Sequence, residues 1–430
     1  RKVDAQIDVG FLRRQLDGCE EWHGDSCNEL TGELKNMVPS PDFMLIDVVD
    51  MCLVSPGEPR RYVALSYVWG ANGENSFLTT VSNVSYLQQA MALKSRWGEL
   101  PDTIQDAITV MQALGERYLW VDSLCIIQDD AENKQANIES MADVYAGATF
   151  AIVAATRQHA RAGLPGVRPE SRGRPQRRAA VGDSRELVLI DDMELLLAHA
   201  PWMTRGWTYQ EWFYSSRCLM FLEGQVVFSC RCATWREDVI CEQGGPNKVT
   251  DLNKVDLSYM GLGYELRPFR RFYLQRDIAR DIGDILMNTI HEYRTRKLTY
   301  DGDILNAFQG VLADFARLLD SNELMGAVLR VLDWCVLVQV QGVRRTQFPS
   351  WSWVGWADFP QWIQEDDLLK WINEKCWIVW HHRGITGDTI ERVERDQTIE
   401  WNPDPELLEC SEAEDWNGIP FAARVQWKTY

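Results

Sequence analysis

Hydrophobic and polar positions alternate most regularly between residues 45 and 230, where short apolar runs are separated by amphipathic stretches. Tyr118 to Val121 form one such run, bounded by Gly115 upstream; Asp122 and Ser123 interrupt it, and Leu124 to Ile127 resume it. A run of this kind is what a parallel strand covered on both faces looks like. Leu45 to Val54 and Tyr62 to Tyr67 read as strands joined by a turn through Ser55, Pro56, Gly57 and Pro59. Asp102 to Leu114 reads as a helix with Ile104, Ala107, Ile108, Met111 and Leu114 on one face. Asp102 and Gln105 are spaced as a capping box there, and Gly115 is the stop. Glu132 to Tyr145 repeats the helical period with Ile138, Met141, Ala142 and Tyr145 inward, and Thr149 to Ala155 is another buried strand. Strand, helix, strand, helix, strand in this order predicts right-handed crossovers and a parallel sheet, hence an α/β domain.

Residues 156–184 form an Arg/Pro/Gly-rich insertion, in which Arg168 to Arg178 reads as a solvated loop. Glu186 to Ile190 reads as a strand, and Arg217 to Leu222 with Gln225 to Cys230 as a hairpin about Glu223-Gly224. Beyond residue 240 the pattern turns helical, over 264–296 and 303–343. It ends in a Trp-rich, β-like tail that includes Phe348-Pro349-Ser350-Trp351-Ser352-Trp353. Trp351, Trp353 and Trp356 make this tail too apolar to stand free in water: either it builds a core with the helices before it or it packs back on the α/β domain, which is the expectation adopted. The predicted division is 1–60 as an N-terminal extension packed on the domain, 61–240 as the α/β domain and 241–430 as a helical, Trp-rich region.

A chain of 430 residues exceeds one ordinary core, and 46% hydrophobic with 25% charged residues is a globular composition. A net charge of -19 repels phosphate backbones and argues against nucleic-acid binding. The most apolar stretch, Leu324 to Val343, contains Arg330 and Asp333, so no membrane span is expected. Eleven cysteines, several inside apolar runs (Cys52, Cys125, Cys218), predict reduced thiols. With no charged-then-apolar start, the expectation is a soluble, cytoplasmic protein. The chain opens on Arg1 rather than Met, as a trimmed one would.

Signatures for P-loops, dinucleotide folds, zincins and nucleophile elbows are missing, and six scattered His residues suggest no Ser-His-Asp set. Three stretches remain. Asp122, a carboxylate among apolar residues, either caps the segment after it or is a pocket residue at a strand's C-terminal end, with Ser123 beside it. Ser66-Tyr67-Val68-Trp69-Gly70 ends a strand with residues that let a ligand approach the backbone, or is a tight turn with Trp69 in the core. In Arg205-Gly206-Trp207-Thr208-Tyr209-Gln210-Glu211-Trp212, Thr208 and Glu211 have capping-box spacing; alternatively Glu211 is a catalytic carboxylate, Arg205 a phosphate clamp and Trp207 a stacking platform. Cys19, His23 and Cys27 fall on one helical face, and Cys230 and Cys232 would complete a zinc set. The spacing is not that of C-x2-C fingers, and packing without a metal is the reading adopted.

Five blocks, YVALSYVWG, LPDTIQDAI, YLWVDSLCIIQDD, MADVYAGATFAIVAA and RGWTYQEW, resemble in sequence and order the fungal heterokaryon incompatibility (HET) domain, over roughly Tyr62 to Trp212. The Cys/His segment upstream, KLTYDGDILNAFQG and FPSWSW are also similar to such proteins. HET domains look like distant relatives of Toll/interleukin-1 receptor (TIR) domains, which implies a flavodoxin-like α/β fold. ALSYVWG is similar to the TIR first strand, and GWTYQEW to the TIR segment carrying the Glu that cleaves NAD in the enzymatic members. The insertion after Ala155 and the hairpin after Arg217 depart from a plain TIR domain. The resemblance implies NAD as substrate, no cofactor and Glu211 as catalytic residue; Ser66, Tyr67, Trp69, Gly70, Asp122, Ser123, Arg205 and Trp207, from the stretches above, are the substrate-binding candidates expected around it. It also implies a cell-death role, with self-association or a signalling partner. The alternative is a non-enzymatic module that acts by assembly alone.

Overall fold

The computed structural model describes residues 2–28, 39–40, 42–70, 77–181, 185–189, 196–197, 200–238, 282–332, 335, 342–357, 381–383 and 390–392. The chain divides into two units, Arg1–Arg271 with Arg296–Leu298, and Phe272–Thr295 with Thr299–Tyr430.

The first unit is built on an eight-stranded mixed sheet. Its strands are β1 (Leu45–Asp47), β2 (Cys52–Val54), β3 (Val63–Ser66), β4 (Tyr118–Trp120), β5 (Ala151–Ala154), β8 (Arg217–Phe221), β9 (Val226–Cys230) and β10 (Thr234–Arg236). A separate exposed ribbon pairs β6 (Arg178–Val181) with β7 (Arg185–Val188). The sheet order is β10-β9-β8-β5-β3-β4-β1-β2. Its centre is parallel, β3 pairing with β4 and with β5, and β5 with β8. Antiparallel strands complete both edges. β3, β5 and β8 are buried at every position, as strands covered on both faces must be. Taken in chain order, the four parallel strands lie 2-1-3-4. The winding therefore reverses about β3, which places a topological switch point between β3 and β5.

Helix Asp102–Leu114 carries the chain from β3 to β4, and all five residues expected on its inner face are buried. Gly115 stops it at φ 72°, where its N–H and that of Glu116 satisfy the carbonyls of Gln112 and Met111. No capping box forms: Pro101 is the N-cap, and the Gln105 amide donates to the carbonyls of Trp97 and Leu100.

Four sequence expectations change in detail. Leu45 to Val54 is a hairpin, because the Asp47 carboxylate accepts from the N–H groups of Val49 and Asp50 and turns the chain back on itself. Leu124 and Cys125 do not resume a strand; Asp122–Cys125 is one helical turn. The stretch 132–145 is two helices, Ala131–Glu139 and Met141–Gly147, broken at Ser140, whose hydroxyl donates back to the Ala136 carbonyl. On the first of these, Asn133 and Asn137 are buried and Ile138 only half-buried. The Arg168–Arg178 stretch is not simply solvated. Arg168 pairs with Asp102 and Asp106 at 3.0 and 2.6 Å, and buried Arg172 pairs with Glu237 at 2.7 Å.

In the second unit, helices Ile282–Arg294 and Gln309–Leu318 join short turns and two-residue strands. Tyr293 stacks on Phe308 at 4.6 Å, and Trp353 meets both edge-on at 5.9 and 5.6 Å. The Trp353 indole N–H donates to the Gly326 carbonyl at 2.7 Å. Trp353 thus shares an aromatic core with Tyr293 and Phe308. The helical reading over 264–281 and the remainder of the tail beyond 357, apart from two short strands, lie outside the described residues. Among the described residues no helix is long and apolar enough to cross a membrane.

Candidate functional site

The C-terminal ends of β3 and β4 bring two of the three candidate stretches together. β3 ends on Ser66, so Tyr67, Trp69 and Gly70 follow at the rim, and Asp122 and Ser123 follow β4 at the same edge. The Trp69 indole N–H donates to Asp122 Oδ2 at 2.7 Å, and the Tyr67 hydroxyl donates to Ser123 Oγ at 2.9 Å. Asp122 Oδ1 accepts from the Ser123 N–H at 2.7 Å. Asp122 therefore bonds both the turn it opens and the neighbouring loop. Gly70 sits at φ 104°, where a Cβ would stand 2.9 Å from that of His159. That position admits little besides glycine.

The third stretch arrives on helix Trp207–Tyr214. The capping-box reading fails on geometry. Gly206 is the N-cap, the Thr208 hydroxyl donates to the carbonyls of Trp202 and Arg205, and the Glu211 carboxylate reaches across to the sheet. There Ser66 Oγ donates a short hydrogen bond to Glu211 Oε2. The Trp202 indole donates to the same Ser66 oxygen at 2.6 Å. An indole N–H can only donate, so Ser66 accepts from Trp202 and its own proton is committed to Glu211.

Both carboxyls are displaced from their ordinary range. Burial pushes Glu211 up to about 7, Asp122 adds to the rise, and the bond from Ser66 and the charge of Arg205 hold it back. Burial likewise pushes Asp122 up to about 6 against the bonds from Trp69 and the Ser123 N–H, the nearby Tyr67 hydroxyl and the charge of Arg205. Asp122 keeps part of its surface in solvent although its carboxylate lies deep among protein atoms. Two carboxyls raised in this way are the kind of group that can accept or give up a proton near neutral pH or meet a cationic centre.

Arg205 and Trp207 are half-buried at the approach to the helix. Three participants escaped sequence reasoning. Trp202 stands in the same Trp-rich stretch but has no motif of its own. Tyr145 reads from the sequence only as an inward helix residue; its hydroxyl donates to the Leu65 carbonyl at 3.2 Å and lies close enough to Glu211 to hold that carboxyl down. Arg296 lies far downstream. Its guanidinium covers the Tyr209 ring at 4.8 Å and donates to Thr208 Oγ1 at 3.1 Å, while Lys297 exchanges backbone bonds with Thr204 and Gly206. No local pattern announces these long-range partners.

Fold and site together define an α/β domain with the Glu211 carboxyl buried beside Ser66 at the switch point of its sheet and Asp122 at the neighbouring strand end. Residues 62–211 match the family model described as Heterokaryon incompatibility protein (HET), and this segment is a HET domain. Over 106 residues the chain is 29% identical to "Heterokaryon incompatibility protein 6, OR allele" of Neurospora crassa, an alignment covering 23% of this chain and 15% of that protein. The chain thus spans well under two thirds of that relative's length. No solved structure matches it.

Proposed function

We propose that the HET domain cleaves the nicotinamide–ribose bond of NAD, and that this reaction serves a fungal incompatibility or cell-death response of the kind the Neurospora relative is named for. The observation that carries the reading is the Glu211 carboxyl: buried, pushed up to about 7, and hydrogen-bonded to Ser66 at the switch point of the sheet. Nucleotide-like ligands bind at that point in open α/β sheets. The 2-1-3-4 order of the parallel strands agrees with a TIR-like sheet, whose enzymatic members use a helical Glu.

Departure of neutral nicotinamide leaves an oxocarbenium-like ribose. A carboxylate held in a low-dielectric pocket stabilises that charge far better than one in water. Glu211 takes that role in its ionised form. Arg205 is suited to a phosphate of the dinucleotide as a bidentate donor, and Trp207 to stacking on a planar ring. Ser66 holds the carboxylate in place, and Trp202 holds Ser66. Tyr67, Trp69, Asp122 and Ser123, tied to one another by hydrogen bonds at the ends of β3 and β4, are suited to contact the rest of the dinucleotide.

The test is release of nicotinamide from NAD by the purified full chain, run at low and at high protein concentration because assembly can be a condition of activity. Release that disappears in Glu211→Gln supports the reading. A folded chain that releases none at either concentration rejects it in favour of a domain that signals by assembly alone.

A further inference from the structure

The first unit has a second cluster of reactive side chains at the opposite end of the sheet. Segment Val9–Asn28 is helical on either side of a kink at Gly24, where φ is 36° and ψ -121°; Cys19 and His23 precede the kink and Cys27 follows it. β9 ends on Cys230, paired in register with Arg217 at the start of β8 and therefore remote from the C-terminal ends of the parallel strands. One ligand atom from each of Cys19, His23, Cys27 and Cys230 lies within 4.8 Å of every other, and all four residues are buried. The thiols are free rather than disulfide-bonded. The edge of a tetrahedron with 2.3 Å metal–sulfur bonds is about 3.8 Å, so the group needs only a small contraction to become a coordination shell.

The surroundings distinguish this cluster from packed thiols. Cys230 Sγ accepts from the backbone N–H groups of Cys232 and Ala233 at 3.4 and 3.3 Å. Cys19 Sγ accepts from the guanidinium Nε of fully buried Arg217 at 3.1 Å. Donors aimed at sulfur from outside the cluster are the outer-shell partners of thiolates, and thiolates this close together repel one another unless a cation sits between them. His23 Nδ1 faces Cys230 Sγ at 3.3 Å, its ring stacks on Trp235 at 5.5 Å, and its buried Nε2 has no hydrogen-bond partner among the described residues. The half-buried Cys232 places its sulfur 3.7 Å from Cys27, at the rim of the group.

We propose that Cys19, His23, Cys27 and Cys230 hold a structural zinc ion that fastens the N-terminal helix to the β8–β9 edge of the sheet. Three sulfurs and one imidazole suit zinc among the common divalent metals, and a four-ligand protein shell is that of a structural site. On binding, the three thiols release their protons to solvent and the complex carries one net negative charge, opposite to Arg217. The clamp joins segments about two hundred residues apart, as the Cys19–Arg217 separation of 198 shows. It also accounts for spacing that fits no finger motif, since three ligands come from one kinked helical segment and the fourth from a distant hairpin.

The experiment is metal analysis by mass spectrometry on the full chain, purified from zinc-supplemented medium and dialysed briefly against a mild chelator. One zinc per chain is expected to survive dialysis. After exchange to cobalt, the thiolate-to-metal charge-transfer and visible bands of a tetrahedral sulfur-rich site should appear. His23→Cys should keep the metal, whereas His23→Leu, which suits packing better, should lower retained zinc by at least about tenfold. A folded chain that loses its zinc to the mild chelator and shows no tetrahedral cobalt spectrum overturns the proposal. So does a His23→Leu variant that retains the metal.

Discussion

Glu211→Gln should make the protein more stable at neutral pH while removing the proposed activity. In the folded state the carboxyl is raised from 4.5 to about 7, chiefly by burial. A raised carboxyl means that the folded chain binds more protons than the unfolded chain between those values. Stability therefore falls as pH rises through that window. At about 1.4 kcal/mol per pH unit, a rise from 4.5 to about 7 amounts to about 3 kcal/mol lost above neutrality. Glutamine has nearly the same shape, does not ionise, and its carbonyl can still accept from Ser66. The variant should match the natural protein below pH 4.5 and exceed it by up to about 3 kcal/mol at pH 8. Thermal unfolding at both pH values reads this as a shift of about 6–12 °C present only at the higher pH. Amide exchange in β3 and β5 reads the same difference for the first unit by itself. A variant destabilised equally at both pH values would refute the reasoning, because Glu211 would then be a structural partner of Ser66 and nothing more.

The other predictions use the same site and two positions of the fold. Ser66→Ala removes the bond that lowers Glu211, and Asp122→Asn removes a charge that raises it, so the rising limb of the proposed NAD cleavage against pH should move up in the first and down in the second. Shifts in one direction in both variants would contradict the assignment. Gly70→Ala combines a φ of 104° with a Cβ only 2.9 Å from that of His159, whereas Gly115→Ala meets nothing at its φ of 72°. Thermal unfolding should show a loss of roughly 1–2 kcal/mol for Gly115→Ala and a clearly larger one for Gly70→Ala. Trp353→Ala should weaken the second unit by about 3–5 kcal/mol, read as faster amide exchange in helix Ile282–Arg294; unchanged exchange would show that the aromatic cluster is not that unit's core.

Much of the α/β domain was legible because its signal is local. β3, β4, β5, the Asp102–Leu114 helix and the β8–β9 hairpin each announce themselves by period, by a glycine stop or by a turn pair. The readings that changed all involve a polar side chain competing with the pattern around it. Asp47 bends an apolar decapeptide into a hairpin, Ser140 breaks a helix by bonding back to Ala136, and Asn133 is buried where hydrophobic period alone would place Ile138. In Asn133 the side-chain oxygen accepts from the Ile127 N–H, a partner that hydropathy does not register.

The site itself divides along the same line. Ser66, Asp122 and Glu211 could be named because each is a polar residue at a strand end or on a helix facing one, which is where a doubly wound sheet keeps its ligands. Their roles could not be told apart, since a capping Glu and a pocket Glu look the same over four residues of sequence. What separates them is tertiary. The helix starts at Trp207, so Thr208 is inside it and not its cap. Trp202 brings an indole N–H to Ser66, and the Ser66 proton has nowhere to go but Glu211. A donor-only group thus decides the direction of the chain Trp202, Ser66, Glu211. That direction keeps one lone-pair site of a buried carboxylate satisfied without neutralising its charge. The Glu211 side chain remains costly to bury when ionised, and for that reason it is available to stabilise a cation that approaches it.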